Sequence, residues 1–308
     1  SIWGMLRPKK IAGGYDIELG KTFGVQKTIW DEKKYDANEY GSKLVSELVP
    51  GGGFSFPKSL YTVFDSVYAG TANDKDAIVM DFFSGSATTA HAVMKLNAED
   101  GGNRTFIMVQ LPEDLHEAAS RPGLEARLKA NIEATIDYLY KQGYKPTICS
   151  IGEERIRKAG EKLKEEYPDA NQLDVGFRVL KLDDSNMKDV YYSPTEYSQD
   201  LLSMLESNVK SDRTDLDLLF GCLLEWGLPL SLPYISENIY GCTVHNYNDG
   251  DIIACFDENV PDSVIKEIAK KQPLRAVFRD SSFVDSPSKI NVGEIFKLMS
   301  PDTRIKVI

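Results

Sequence analysis

The stretch "IVMDFFSGSATTAHAVM", Ile78–Met94, carries residue types that can hold a charged ligand. At its centre is the small-residue turn Ser84–Gly85–Ser86–Ala87. Backbone N–H groups of such a turn point outward, and a helix opening directly after it adds partial positive charge. A carboxylate or phosphate is therefore favoured over Gly85 to Ala87. Gly85 can take positive φ and let a ligand approach its backbone. Thr88 or Thr89 can cap the helix. Asp81, at the end of the apolar run, is placed to receive a ligand ammonium or hydroxyl. The bland alternative is an ordinary strand-to-helix turn, because one glycine is far less than a GxGxxG pattern.

A nicotinamide dinucleotide reading has its own check. It expects an acidic residue near the end of the second strand to hold a ribose. In "RTFIMVQLPED" that place is taken by Gln110, with Glu113 slightly beyond, so the match to dinucleotide oxidoreductases is poor. His91 lies early in the helix after the turn and reads as structural. His116 and His245 show no partner pattern, and Trp226 and Tyr234 read as core. Cys149, Cys222, Cys242 and Cys255 are far apart with no CxxC pair, so they read as reduced thiols and no metal site is assigned.

These residues need elements to position them. "AIVMDFF" has the length and flanks of a buried strand, "ATTAHAVMKLNAE" follows as a helix, and "RTFIMVQL" is a second buried strand. "GLEARLKANIEATIDYLYKQG" is a helix, "GEERIRKAGEKLKEEYP" a charged, exposed helix, and "GFRVLKL" a third strand. This alternation predicts a parallel sheet with right-handed crossovers. Ahead of it, residues 1–57 read as irregular, punctuated by "VPGGGFSFP", with one helix at "NEYGSKLVSELV". Pro57 is placed to open a helix over "PKSLYTVFDSVYAG". Residues 183–195 break the rhythm. Beyond them, "YSQDLLSMLESNV" and "TDLDLLFGCLLEWG" read as helices, and "NDG" marks a hairpin between "YGCTVHNY" and "DIIACFD". A helix at "SVIKEIAKKQ", a strand at "LRAVFRD", a helix at "KINVGEIFKLMS" and a strand at "RIKVI" complete a small α/β unit.

Of the 308 residues, 42% are hydrophobic and 27% charged, which fits a globular protein, and no apolar run has the length of a membrane span. The net charge is −11, against the basic face that a DNA-gripping protein usually shows. Residues 1–58 hold nine Lys/Arg and seven Asp/Glu, so the remainder carries the whole acidic excess. The first methionine is Met5, which is compatible with a piece of a longer chain.

"FSFPKSLYTV", "IVMDFFSGSATTAHAVMKLNAEDGGNRTFIMVQLPE", "GEERI" and "GFRVLKLDDSN" resemble the modification (Mod) subunit of Type III restriction–modification systems, a β-class, S-adenosylmethionine-dependent DNA adenine-N6 methyltransferase. "DLLFGCLLEWGLPL", "KINVGEIFK" and the ending "IKVI" resemble the C-terminal region of that family, so the likeness runs from about Thr28 onward. The resemblance implies a Rossmann-like methyltransferase parallel sheet, present as its cofactor-binding half, with a smaller C-terminal α/β domain. It divides the chain into 1–57, the end of a target-recognition or linker region; 58–190, the S-adenosylmethionine-binding part; and 191–308, a C-terminal α/β domain.

The site follows from the same resemblance. Pro57 and Lys58 match a "PK" motif, and Lys58 would reach the methionine carboxylate; on residue type alone it is a solvated lysine. Asp81, Phe82, Phe83, Ser84, Gly85 and Ser86 match a "DFFAGS" turn that cups the methionine part, with Ala87 and Thr88 completing it. Gln110, Leu111 and Pro112 match a "VQLPE" segment beside ribose and adenine. Ala87 departs from the family's "GSGTT". Either the site needs positive φ, at a cost on the order of 1 kcal/mol, or the methyl crowds the ligand. Both predict weakened cofactor binding.

No DPPY-type catalytic loop occurs in the sequence, so no catalytic residue is assigned and the chain alone is expected to be inactive. DNA, a second copy of the chain and a restriction (Res) subunit are the implied partners, with a cytoplasmic location and no membrane. The competing expectation is a non-catalytic module for dimerisation or restriction-subunit docking.

Overall fold

The computed structural model describes residues 6–11, 14–19, 29–170, 173–188 and 209–308. The chain divides into two compact units, Ser1–Val179 and Leu180–Ile308. Among the described residues no helix is long and apolar enough to cross a membrane.

Unit 1 opens with a hairpin, β1 (Leu6–Ile11) paired antiparallel with β2 (Gly14–Leu19), where the sequence reads as irregular. The helix expected at "NEYGSKLVSELV" is a composite. A π-helical turn, Asn38–Lys43, runs into α1 (Leu44–Leu48). Gly41 lets this turn pack against the backbone of Pro57 and Lys58, because a Cβ there would sit 2.6 Å from the carbonyl oxygen of Pro57. Helix α2 (Leu60–Thr71) starts after Ser59, not at Pro57. The Ser59 hydroxyl donates to the Lys34 carbonyl at 2.8 Å, which ties this N-cap residue to the preceding loop and leaves Pro57 and Lys58 outside the helix.

Next comes a β-α-β unit: β3 (Ile78–Asp81), α3 (Thr88–Asp100) and β4 (Thr105–Met108). The strands pair in parallel, with Ile78 opposite Thr105 and Asp81 opposite Met108. Parallel neighbours need a crossover, and α3 supplies it. Gly101, at φ +67°, ends α3 in the left-handed conformation that glycine adopts without strain. Arg104, almost fully buried, locks the return by bonding Thr71, Asn97 and Asp100.

Among the described residues the parallel sheet has two strands where three are expected. Residues 176–182 form no strand, and Leu180 and Leu182 are exposed. A strand exists only through a ladder, and no strand lies beside this segment among the described residues. Nor are β3 and β4 buried on both faces. Val79 and Phe106 pack inward beside Val93 and Leu96 of α3, while Ile78, Met80 and Ile107 point outward into solvent. Helices α4 (Leu115–Ala119), α5 (Ala126–Lys141) and α6 (Ile148–Glu166) follow. The expectation that α6 is simply exposed fails. Its row Ile151, Arg155, Ala159 and Leu163 repeats every four residues and is buried; Ile151, Ala159 and Leu163 join Met94 of α3 and Ile136 of α5 in one core.

Unit 2 contains α7 (Asp215–Glu225), β5 (Tyr234–Ile239), β6 (Cys242–Tyr247), β7 (Ile252–Cys255), α8 (Asp262–Lys270), β8 (Arg275–Phe278), α9 (Ser286–Met299) and β9 (Arg304–Val307). The sheet order is β5-β6-β7-β8-β9. The β5–β6–β7 part is antiparallel and includes the hairpin at "NDG"; β7, β8 and β9 are parallel. Strand β7 is buried throughout and alternates sides. Ile253 and Cys255 face α8 and α9, while Ile252 and Ala254 face α7. Strand β5 was not expected from the sequence. The helix expected at "YSQDLLSMLESNV" lies, apart from Val209, outside the described residues.

Candidate functional site

The turn between β3 and α3 is built from the strand outward. The N–H of Val109 donates to the Asp81 carbonyl at 2.8 Å, and Ser84 N–H donates to the Val109 carbonyl at 3.2 Å, so the turn stays laced to the end of β4. Asp81 is already committed. Its Oδ1 accepts from the Phe83 N–H at 3.1 Å and its Oδ2 from the Thr89 hydroxyl at 2.6 Å. Gly85 (φ +51°) and Ala87 (φ +56°) are both left-handed, and Ala87 N–H closes on the Ser84 carbonyl at 2.7 Å. Ala87 is itself the N-cap residue of α3.

Neither threonine caps the helix as expected. Thr89 is tied to Asp81, and the Thr88 hydroxyl accepts from Arg155. The position of Ala87 therefore demands positive φ, at about 1 kcal/mol for an alanine. Its methyl group is 2% exposed and packs in the α3–α5–α6 core, where Gly152 of α6 draws close. The methyl faces the protein interior, away from solvent.

Gly85 does not present a free amide. Its N–H donates to Oε1 of Gln110 at 2.8 Å. Its open side is covered by the Phe54 ring: a Cβ on Gly85 would sit 2.7 Å from the ring's Cζ. So the protein's own side chains occupy the seat that the sequence assigns to a ligand anion. A ligand over Gly85 has to displace the carboxamide and move the ring. Phe54 is legible in the sequence only as part of a glycine-rich turn, and no local signal places it 31 residues ahead on Gly85.

The buried groups around the turn are unusual. Arg155 is 0% exposed. Its Nη1 donates to the Ser86 carbonyl (3.1 Å), Ser86 Oγ (2.9 Å) and Thr88 Oγ1 (2.7 Å). Its Nε and Nη2 have no partner among the described residues. Burial pushes its pKa down to about 9. His91, buried beside it, has an unpartnered Nδ1, and burial, reinforced by the charges of Arg155 and Lys95, holds its imidazole well below the usual histidine range. His91 is thus a neutral core residue, in line with its structural reading.

The remaining predicted positions sit at the rim. Lys58 is exposed ahead of α2, and no hydrogen bond ties it to the turn. Phe82, Phe83 and Leu111 are exposed at 63%, 83% and 69%, and Pro112 follows in the same solvent-facing segment. An open groove of about 530 Å³ runs along the far side of β3, between Val63 and Gly70 of α2 and Met80, Phe82 and Thr89. The structure thus joins Asp81, Ser84–Thr88 and Gln110 into one hydrogen-bonded turn and does not draw Lys58 into it.

Two histidine expectations change or gain content, one in each unit. His245 is buried, with Nδ1 2.8 Å from Ser236 Oγ and Nε2 3.4 Å from Asp215 Oδ2, so it ties β5 and β6 to α7. In unit 1, His116 Nε2 lies 3.0 Å from the Tyr140 hydroxyl. Trp226 and Tyr234 pack against the core of unit 2. Cys242, Cys255 and Asp257 bring their ligand-type atoms within 4.8 Å of one another, a grouping that the sequence spacing of the cysteines does not announce, and burial pushes both thiols up.

No protein-family model matches the chain. It is 37% identical over 149 residues to the Mod subunit of the Type III restriction-modification enzyme StyLTI of Salmonella typhimurium (strain LT2), covering 48% of this chain and 19% of that protein. It is 31% identical over 163 residues to the EcoPI Mod subunit of Escherichia phage P1, covering 53% and 22%. With the EcoP15I Mod subunit of Escherichia coli the identity is 29% over 239 residues, covering 73% and 31%. The similarity to Type III modification subunits therefore holds over about half of this chain or more, while the chain spans only 19% to 31% of these relatives.

Proposed function

We propose that this chain supplies the S-adenosylmethionine pocket of a site-specific DNA adenine-N6 methyltransferase of a Type III restriction–modification system. The observation that carries the reading is the left-handed turn at the carboxyl end of β3, beside the parallel strand β4 and at the mouth of α3. In open α/β sheets, ligands bind at that end of the strands, and a helix N-terminus favours an anion there. Similarity to three Mod subunits points the same way.

In this reading residues 58–190 form the cofactor part of a Rossmann-like domain, preceded by the end of a recognition region and followed by the α/β domain 191–308. The methionine end of the cofactor lies over Ser84–Thr88, with Asp81, Phe82 and Phe83 below it, Lys58 reaching its carboxylate, and Gln110, Leu111 and Pro112 beside ribose and adenine. The cofactor supplies the methyl group, and this chain's residues bind and orient it. The outward face of Ile78, Met80 and Ile107 is where further parts of a methyltransferase domain would pack. Without a DPPY-type loop the chain alone transfers no methyl group. DNA, a second copy and a restriction subunit are its partners, in the cytoplasm.

The fit to the cofactor is conditional. The turn and the Arg155 charge behind it suit a carboxylate, but Gln110 and Phe54 must first yield Gly85. That occupied amide favours the second reading, a non-catalytic assembly module. Thermal melting with S-adenosylmethionine, S-adenosylhomocysteine and NAD separates them. Stabilisation by the first two supports the pocket, and stabilisation by NAD alone indicates an oxidoreductase. No shift with any ligand leaves the assembly module. Transfer of labelled methyl to plasmid DNA by the chain alone would refute its inactivity.

A further inference from the structure

Among the described residues the guanidinium of Arg155 is a buried cation without a counter-ion. One nitrogen, Nη1, makes all of its hydrogen bonds, and these go to neutral oxygens of Ser86 and Thr88. Nε and Nη2 have no partner among the described residues. The neighbouring carboxylates are engaged elsewhere. Glu154 accepts from the Tyr138 hydroxyl and faces Arg157, and Asp81 serves Phe83 and Thr89. An uncompensated charge in this position is costly unless an anion comes near. The N-terminus of the 13-residue helix α3 favours an anion at these same residues, independently of Arg155.

We infer that Arg155 is a specificity-determining positioning residue: it braces Ser86–Thr88 from behind and makes the turn select ligands that carry a carboxylate. The inference rests on the S-adenosylmethionine reading and extends it. Arg155 acts through the turn and not by contact with the ligand, because its guanidinium is buried behind the Ser86 and Thr88 oxygens.

Calorimetric titration with two ligands tests this. S-adenosylhomocysteine carries the amino-acid end; 5′-methylthioadenosine keeps the adenosine and sulfur and lacks that end. The unaltered chain is expected to prefer S-adenosylhomocysteine by about tenfold or more, the scale of a charge-assisted contact. Arg155→Met should cut that preference to about twofold, by weakening S-adenosylhomocysteine alone, and Arg155→Lys should hold an intermediate preference. A purely structural role would move both affinities together. Equal weakening of both ligands, or an unchanged preference, overturns the inference and leaves the cofactor reading standing. Binding of neither ligand by the unaltered chain removes the cofactor reading and the inference with it. Should Arg155→Met lose its circular dichroism signature, Arg155→Lys decides: an intermediate preference supports the inference and an unaltered one overturns it.

Discussion

The backbone N–H of Gly85 and the side-chain oxygen of Gln110 lie 2.8 Å apart and form a hydrogen bond across the mouth of the β3–α3 turn. The bond competes with any anion that uses the same amide. Gln110→Ala removes the competitor. A hydrogen bond of this kind is worth roughly 0.5–1.5 kcal/mol, so S-adenosylhomocysteine should bind about 2- to 10-fold more tightly by calorimetry. Weaker binding would show that the contact of Gln110 beside ribose and adenine outweighs its competition for the Gly85 amide.

Gly85→Ala meets two obstacles, a left-handed backbone and the Phe54 ring 2.7 Å from the new methyl. Together they should destabilise the fold by about 2 kcal/mol or more. The double variant with Phe54→Ala removes the clash and leaves the backbone strain. Urea unfolding of the double-mutant cycle should therefore show the double variant destabilised by about 1 kcal/mol less than the sum of the two single variants; strict additivity would place the ring elsewhere.

Ala87→Gly relieves strain of about 1–2 kcal/mol. It also forfeits a buried methyl group worth about 0.8 kcal/mol and adds chain entropy of roughly 0.5–1 kcal/mol. These nearly cancel, so the melting midpoint should barely move. Because the methyl lies in the core, S-adenosylhomocysteine affinity should change less than about twofold. A large gain in affinity would revive the idea that the methyl crowds the ligand.

His91 makes stability depend on acid. Its folded-state pKa is depressed, so above the unfolded value of about 6.5 both states are neutral and the residue contributes nothing. Below that pH the unfolded chain takes up a proton that the folded chain refuses, and stability falls by about 1.4 kcal/mol per pH unit until the folded-state value is reached. In urea melts from pH 7 to pH 5, His91→Leu should flatten this part of the acid limb by that slope. An identical pH dependence in both proteins would show that His91 titrates normally.

Much of unit 2 is legible in the residues. "NDG" announces the β6–β7 hairpin, and "SVIKEIAKKQ" and "LRAVFRD" switch from helical to strand periodicity where α8 gives way to β8. In unit 1 the β3–α3–β4 unit is equally plain, but its surroundings are not. A continuous apolar run such as "AIVMDFF" reads as covered on both sides, although only Val79 and its inward neighbours are. Arg155 is hidden by composition, since "GEERIRKAGEKLKEE" is dense in charge. Its four-residue register with Ile151, Ala159 and Leu163 was the available signal, and it places a cation on the apolar row. Phe54 on Gly85 and Gln110 on its amide are tertiary encounters without a periodicity to betray them.

The half-bare sheet of unit 1 has a colloidal consequence. Among the described residues strand β3 has a ladder along one edge only, and Ile78 and Met80, with Phe82 just beyond, lie in water beside it. Such a margin is a template on which any extended chain can crystallise its own backbone bonds. Despite the mutual repulsion expected from a net charge of −11, concentrated solutions should scatter more light as salt screens that repulsion, and a lysine at Met80 should make them clear.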